Sequence, residues 1–79
     1  SKIYPNPNNG IFNVVVNSTS SENFQISVSN MIGQSIHTET LPASGVGTAT
    51  LDLSAVEKGV YFVTVKGEKS ENTTKVVVR

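Results

Sequence analysis

Apolar and polar residues alternate along most of this chain with a period of two, the pattern of strands that bury one face. The clearest case is Leu51-Asp52-Leu53-Ser54-Ala55-Val56-Glu57-Lys58-Gly59-Val60-Tyr61-Phe62-Val63-Thr64-Val65. Before a tight corner, Ala49, Leu51 and Leu53 alternate with Thr48, Thr50 and Asp52; after it, Tyr61, Val63 and Val65 alternate with Phe62, Thr64 and Lys66. Gly59 is free to take a positive φ where the chain reverses. Tyr61 opens the returning strand, where β-sandwiches place a tyrosine whose ring packs inside and whose hydroxyl bonds to backbone upstream. Residues 54–58 are too few for a stable helix.

The same period organises the rest of the chain. Residues 1–4 read as a short entry strand. In Pro5-Asn6-Pro7-Asn8-Asn9-Gly10 two prolines fix φ and remove two donors, so this stretch cannot lie inside a ladder. Its closing Asn9-Gly10 is a turn signal. Phe12, Val14 and Val16 then face a core, residues 17–23 read as a polar loop, and Phe24, Ile26 and Val28 face inward again. Asn30-Met31-Ile32-Gly33-Gln34 predicts a hairpin connection with Gly33 in a left-handed conformation. Residues 35–41 return as a strand with Ile36 inward and His37 outward, and residues 42–47 read as a loop. Residues 67–72 form a hairpin loop before the last strand, whose Val76-Val77-Val78 is flanked by Lys75 and Arg79. Flanking charges of this kind keep an apolar strand from pairing with other chains. Six to seven strands at this spacing predict an all-β fold, a small immunoglobulin-like antiparallel β-sandwich.

Composition agrees. Twelve Val, eight Thr and five Ile, against three Leu and three Ala, favour sheet over helix. Seventy-nine residues make one small domain with a thin core. Six basic and six acidic residues cancel, so no basic face for nucleic acid is evident. No apolar run approaches a membrane span, and no signal segment opens the chain. A first residue of Ser1 rather than Met suggests a fragment cut from a longer protein. The chain has no cysteine, hence no disulfide or thiol chemistry.

Little in the sequence points to catalysis. His37 is the only histidine, and a metal site needs several converging ligands. Asp52 and Glu57 are too few carboxylates for a calcium loop. No serine sits in a nucleophile pattern with His and Asp partners, and Gly45-Val46-Gly47 lacks the following helix of a phosphate loop. Asn17-Ser18-Thr19 and Asn72-Thr73-Thr74 match a glycosylation sequon, a short and frequent pattern. The residues therefore predict no enzyme, cofactor or metal. An adhesive or carbohydrate-binding sandwich and a spacer domain remain open alternatives.

Four landmarks in order resemble one family. They are Tyr4-Pro5-Asn6-Pro7, the turn glycine Gly33 after Val28-Ser29-Asn30-Met31-Ile32, the run from Leu51-Asp52-Leu53 to Gly59-Val60-Tyr61, and the ending Lys75-Val76-Val77-Val78-Arg79. Together they resemble the C-terminal sorting domain of type IX (Por) secretion system cargo in Bacteroidetes, over essentially the whole chain. One departure is Ser29-Asn30-Met31, where that family more often has Tyr or Phe followed by Asp. The resemblance implies an address label with an immunoglobulin-like fold, carried at the end of a cargo protein that crosses the periplasm. It would be read by the type IX translocon and its outer-membrane shuttle proteins, and then removed by a sortase cutting upstream of Ser1. The cargo would reach the cell surface or the medium. On this reading Lys75, Val76, Val77, Val78 and Arg79 are the recognition element, and a terminal strand of this kind can offer its edge to another sheet. Tyr4, Pro5, Asn6, Pro7, Gly10, Gly33, Leu53, Gly59 and Tyr61 are expected to be structural.

Overall fold

A computed structural model describes residues 2–79. Ser1, counted in the expected entry strand, lies outside the described residues. Five antiparallel strands follow one another: β1 (Lys2–Tyr4), β2 (Ile11–Asn30), β3 (Ser35–Asp52), β4 (Gly59–Lys66) and β5 (Glu71–Val78). No helix occurs among the described residues.

The expected six to seven strands become five because two segments read as loops continue as strand. Residues 17–23 lie inside β2 and residues 42–47 inside β3. Backbone pairing does not require apolar side chains, and the β2–β3 ladder runs from Ile11 opposite Asp52 to Ser29 opposite Ser35. It slips register between Ser18 and Glu22, and such irregularities bend a strand. Around this bend β2 changes neighbours. Lys2, Ile3 and Tyr4 pair with Val15, Val14 and Asn13 in its first part, while β4 pairs with residues 25–30 in its second. The result is one antiparallel sheet curled over its own core.

That core holds the residues the alternation assigned to it. Phe12, Val14, Val16, Phe24, Ile26, Val28, Ala49, Leu51, Leu53, Tyr61, Val63 and Val65 are buried in one cluster, joined by Val76 and Val78 from the terminal apolar run and by Ala43 from inside the supposed loop. Fully burying such a side chain stabilises the fold by about 1.5–3 kcal/mol.

A carboxylate locks the bend. Glu22 accepts from the Ser18 hydroxyl at 2.6 Å and from the Glu68 amide at 3.0 Å, tying β2 to the β4–β5 hairpin. Gly67 permits this approach, since a Cβ there would lie 2.6 Å from Glu22 Oε1 and 2.8 Å from Phe24 Cε2.

One side chain departs from its expected side. His37 stands opposite Val28 and Glu39 opposite Ile26, and directly opposed residues share a face of a sheet. A second register shift, between Val28 and Ser29, changes the parity of β3, so His37 lies on the core-bearing face. It is half-exposed there and meets Glu39 at 2.8 Å.

Candidate recognition surface

The terminal strand divides the five expected recognition residues into two sets. Val76 and Val78 are buried, at 0% and 4% exposure, whereas Lys75 and Arg79 are exposed. Val77 is half-buried opposite Val60, and Lys75 stands opposite Phe62. Lys75, Val77 and Arg79 are therefore the members of the set presented outward. Neither Lys75 nor Arg79 has an ion-pair partner among the described residues.

The backbone edge of this stretch is closed. Because β5 pairs with β4 on one side, alternate residues turn their N–H and C=O the other way. Here those groups are the Lys75 carbonyl, both groups of Val77, and the Arg79 amide. The Asn6 side chain donates to the Lys75 carbonyl at 2.9 Å and accepts from the Val77 amide at 3.1 Å. The Asn8 backbone donates to the Val77 carbonyl at 3.0 Å and accepts from the Arg79 amide at 2.8 Å. Asn8 thus forms an isolated parallel bridge with Val78. An incoming strand finds no unpaired backbone group between the Lys75 carbonyl and the Arg79 amide.

The entry segment is itself held firmly. The buried Asn8 side chain donates to the Pro5 carbonyl at 3.0 Å and accepts from the Gly10 amide at 2.8 Å. Every polar group of Asn8 is therefore used. The Tyr4–Pro5 and Asn6–Pro7 peptide bonds are both cis. Pro5, Asn6 and Pro7 are exposed, and Tyr4 is 43% exposed with the Lys2 ammonium 5.4 Å from its ring centre. Gly10 has φ of 111°, and its carbonyl accepts from the buried Leu53 amide at 2.6 Å. A Cβ at Gly10 would lie 2.8 Å from the Ser54 Cα.

The other motif residues build corners. Gly33 has φ of 84° and donates to the Asn30 carbonyl at 3.0 Å. Asn30 Oδ1 accepts from the Ile32 and Gln34 amides at 3.1 and 2.9 Å, which an aspartate oxygen would do equally well. The departure from Asp at this position thus keeps the turn's acceptor. This hairpin presents Met31 and Ile32, 71% and 86% exposed. At the second corner Gly59 has φ of 155°, and the Tyr61 hydroxyl donates to the Glu57 carbonyl four residues upstream, as the sequence predicts. Asp52 Oδ1 accepts from the Ser54 hydroxyl at 2.6 Å and the Ser54 amide at 3.0 Å. These bonds, the hydroxyl's foremost, hold the Asp52 carboxyl below its ordinary pKa.

The chain matches a known family along nearly its whole length. The family model of the secretion system C-terminal sorting domain covers residues 2–79. The chain belongs to that family. A comparison with curated proteins returned no match. The sorting domain is a C-terminal signal for type IX secretion, a system of Bacteroidetes, and directs export toward the cell surface or extracellular space. Its family is one of signal domains rather than enzymes. No group of three or more potential metal ligands occurs among the described residues, and no helix among them is long and apolar enough to cross a membrane. The adhesive alternative is not favoured. Phe12, Phe24 and Tyr61 are buried, and the exposed Tyr4 and half-buried Phe62 lie on strands that pair with different parts of β2.

Sequence reasoning missed Asn6 and Asn8 as hydrogen-bonding groups. No local pattern signals them: Asn6 reaches β5 through its side chain and Asn8 through its backbone, and their partners lie at the far end of the chain.

Proposed function

We propose that the type IX translocon and its outer-membrane shuttle proteins read this domain through the outward side chains of the terminal strand. Lys75, Val77 and Arg79 make the contact, and Val76 and Val78 anchor the strand to the core. The observation that carries this reading is the separation of the five residues into an inward apolar pair and an outward set with two unpaired cations. The domain acts as a ligand and performs no catalysis of its own. It folds in the periplasm without cofactor, a state reachable by a chain with no cysteine to oxidise. Its curled sheet corresponds to an immunoglobulin-like sandwich whose layers are joined by bends in β2 and β3, since strands that switch layers do so at bulges. The chain is the single sorting domain of a larger cargo, and a sortase separates the two upstream of Ser1.

The test replaces Lys75, Val77 and Arg79 together by Ala, Ser and Ala in a domain fused to a secreted reporter. Exposed and half-exposed positions tolerate such changes with little loss of stability. Export should fall at least tenfold while the melting temperature moves by no more than a few degrees. Unchanged export would refute the reading.

A further inference from the structure

We propose that Asn6 is a positioning residue for recognition, joining the entry segment to β5 so that the translocon reads one composite face with its strand edge closed. This rests on the reading of Lys75, Val77 and Arg79 given above. Two segments about 70 residues apart in sequence meet here through four hydrogen bonds, two from the Asn6 side chain and two from the Asn8 backbone. An asparagine amide carries one carbonyl and one N–H face, the same donor and acceptor that a peptide group offers a neighbouring strand. Pro5 and Pro7 on either side have no N–H, so the backbone cannot supply donors at those residues. The Asn6 side chain supplies one instead, and fixes the strand without creating a new open edge.

Other features of the sheet also disfavour strand addition. β3 pairs only with β2, and it is blunted by Pro42, by two register shifts, and by His37 and Glu39 on the core-bearing face. Proline, bulges and inward charges are the usual means of preventing edge pairing. What the terminal strand presents is therefore a side-chain pattern. Lys75 and Arg79 are four residues apart, about 13 Å along a strand, with Val77 midway. The exposed Pro5, Asn6 and Pro7 border this row, since Asn6 bonds the strand's outer edge. The fitting partner is a protein surface with two acidic groups at about that spacing around a shallow apolar depression. A strand free to fray would not hold the two cations at one separation, and this is the role the geometry assigns to Asn6.

The experiment compares Asn6→Ala, Asn6→Asp and the double variant Lys75→Ala/Arg79→Ala in the reporter fusion. Each is held well below its own melting temperature. Amide hydrogen exchange reports the clip and external reporter reports recognition. In Asn6→Ala, the Val77 amide should exchange at least tenfold faster while Val76 and Val78 stay protected, and export should fall at least fivefold although the domain is folded. Asn6→Asp keeps an acceptor for the Val77 amide but has no donor for the Lys75 carbonyl, so its export should be intermediate. Should Asn6→Ala fail to fold, Asn6→Asp supplies the comparison alone. Wild-type export from a folded variant with a freed Val77 amide would overturn the proposal. So would an unchanged Val77 amide. Export above wild type would also overturn it, by showing that the clip masks an edge used for strand addition. Normal export of the Lys75/Arg79 double variant would instead defeat the underlying functional reading, whatever Asn6 does.

Discussion

Replacing Gly10 by alanine separates two reasons for a glycine. Its φ of 111° is one that L-residues rarely adopt, and its missing Cβ leaves room for the Leu53–Ser54 backbone. A left-handed conformation costs an alanine about 1–2 kcal/mol. A Cβ 2.8 Å from the Ser54 Cα and 2.9 Å from its nitrogen meets backbone that cannot rotate away. Such overpacking costs about 1–3 kcal/mol more. Reduced freedom of the unfolded chain returns about 0.4–1 kcal/mol. The net loss is about 1–5 kcal/mol, large against the roughly 4–12 kcal/mol expected for a domain of this length. At about 6 °C per kcal/mol, Gly10→Ala should lower the melting temperature by about 6–30 °C. Gly33→Ala is the matched control. Its φ of 84° carries the conformational cost, but a Cβ there meets nothing within 4 Å. It should lose only about 0–10 °C, less than Gly10→Ala by the whole of the overpacking cost. Thermal unfolding followed by circular dichroism reads both. Equal losses would refute the argument that close approach at Ser54 makes Gly10 necessary. Export should fall in step with the folded fraction, and loss of export at full stability would mean that Gly10 is read directly.

Further variants test other parts of the fold. Tyr61→Phe keeps the packed ring but removes the bond to the Glu57 carbonyl, and should cost about 0.5–1.5 kcal/mol in a denaturant titration; Tyr61→Ala should cost about 3–5 kcal/mol. The Glu22 carboxyl is held below its ordinary pKa by the Ser18 hydroxyl first, then the Glu68 amide and the Lys69 charge, and Asp52 is lowered by Ser54. A folded-state pKa below the unfolded one gives stability that is complete above the unfolded value and lost as pH falls through the folded value. Melting temperature should therefore decline below about pH 4. The decline should be shallower in Glu22→Gln and Asp52→Asn, whereas slopes matching the parent would contradict the assignment. Gly67→Ala should separate the β4–β5 hairpin from Glu22 and Phe24, exposing the Glu68 amide to faster hydrogen exchange.

Legibility followed the range of the interactions. The corner at Gly59, the Tyr61 hydroxyl bond and the inward sets in β2 and β4 rest on residues near one another in sequence, and period-two alternation reveals them. Residues 17–23 and 42–47 misled because polar and Gly/Pro-rich composition signals a loop, whereas ladder pairing depends on backbone groups. His37 was misplaced because one extra residue in β3 reverses the parity on which face assignment depends. The Asn6 clip was hidden for a different reason. A local reading makes asparagine a turn residue, while the partners of this one are contributed by the far end of the chain. Of the proposed recognition residues, the sequence placed all five on the last strand, and the structure separated the inward from the outward members.

The most direct test of the central claim is transport itself. A periplasm-directed fluorescent reporter carrying this domain at its C-terminus is expressed in a Bacteroidetes host with and without a working type IX translocon. The account predicts external reporter only when the translocon works. Folded reporter retained in the periplasm of both strains would contradict it.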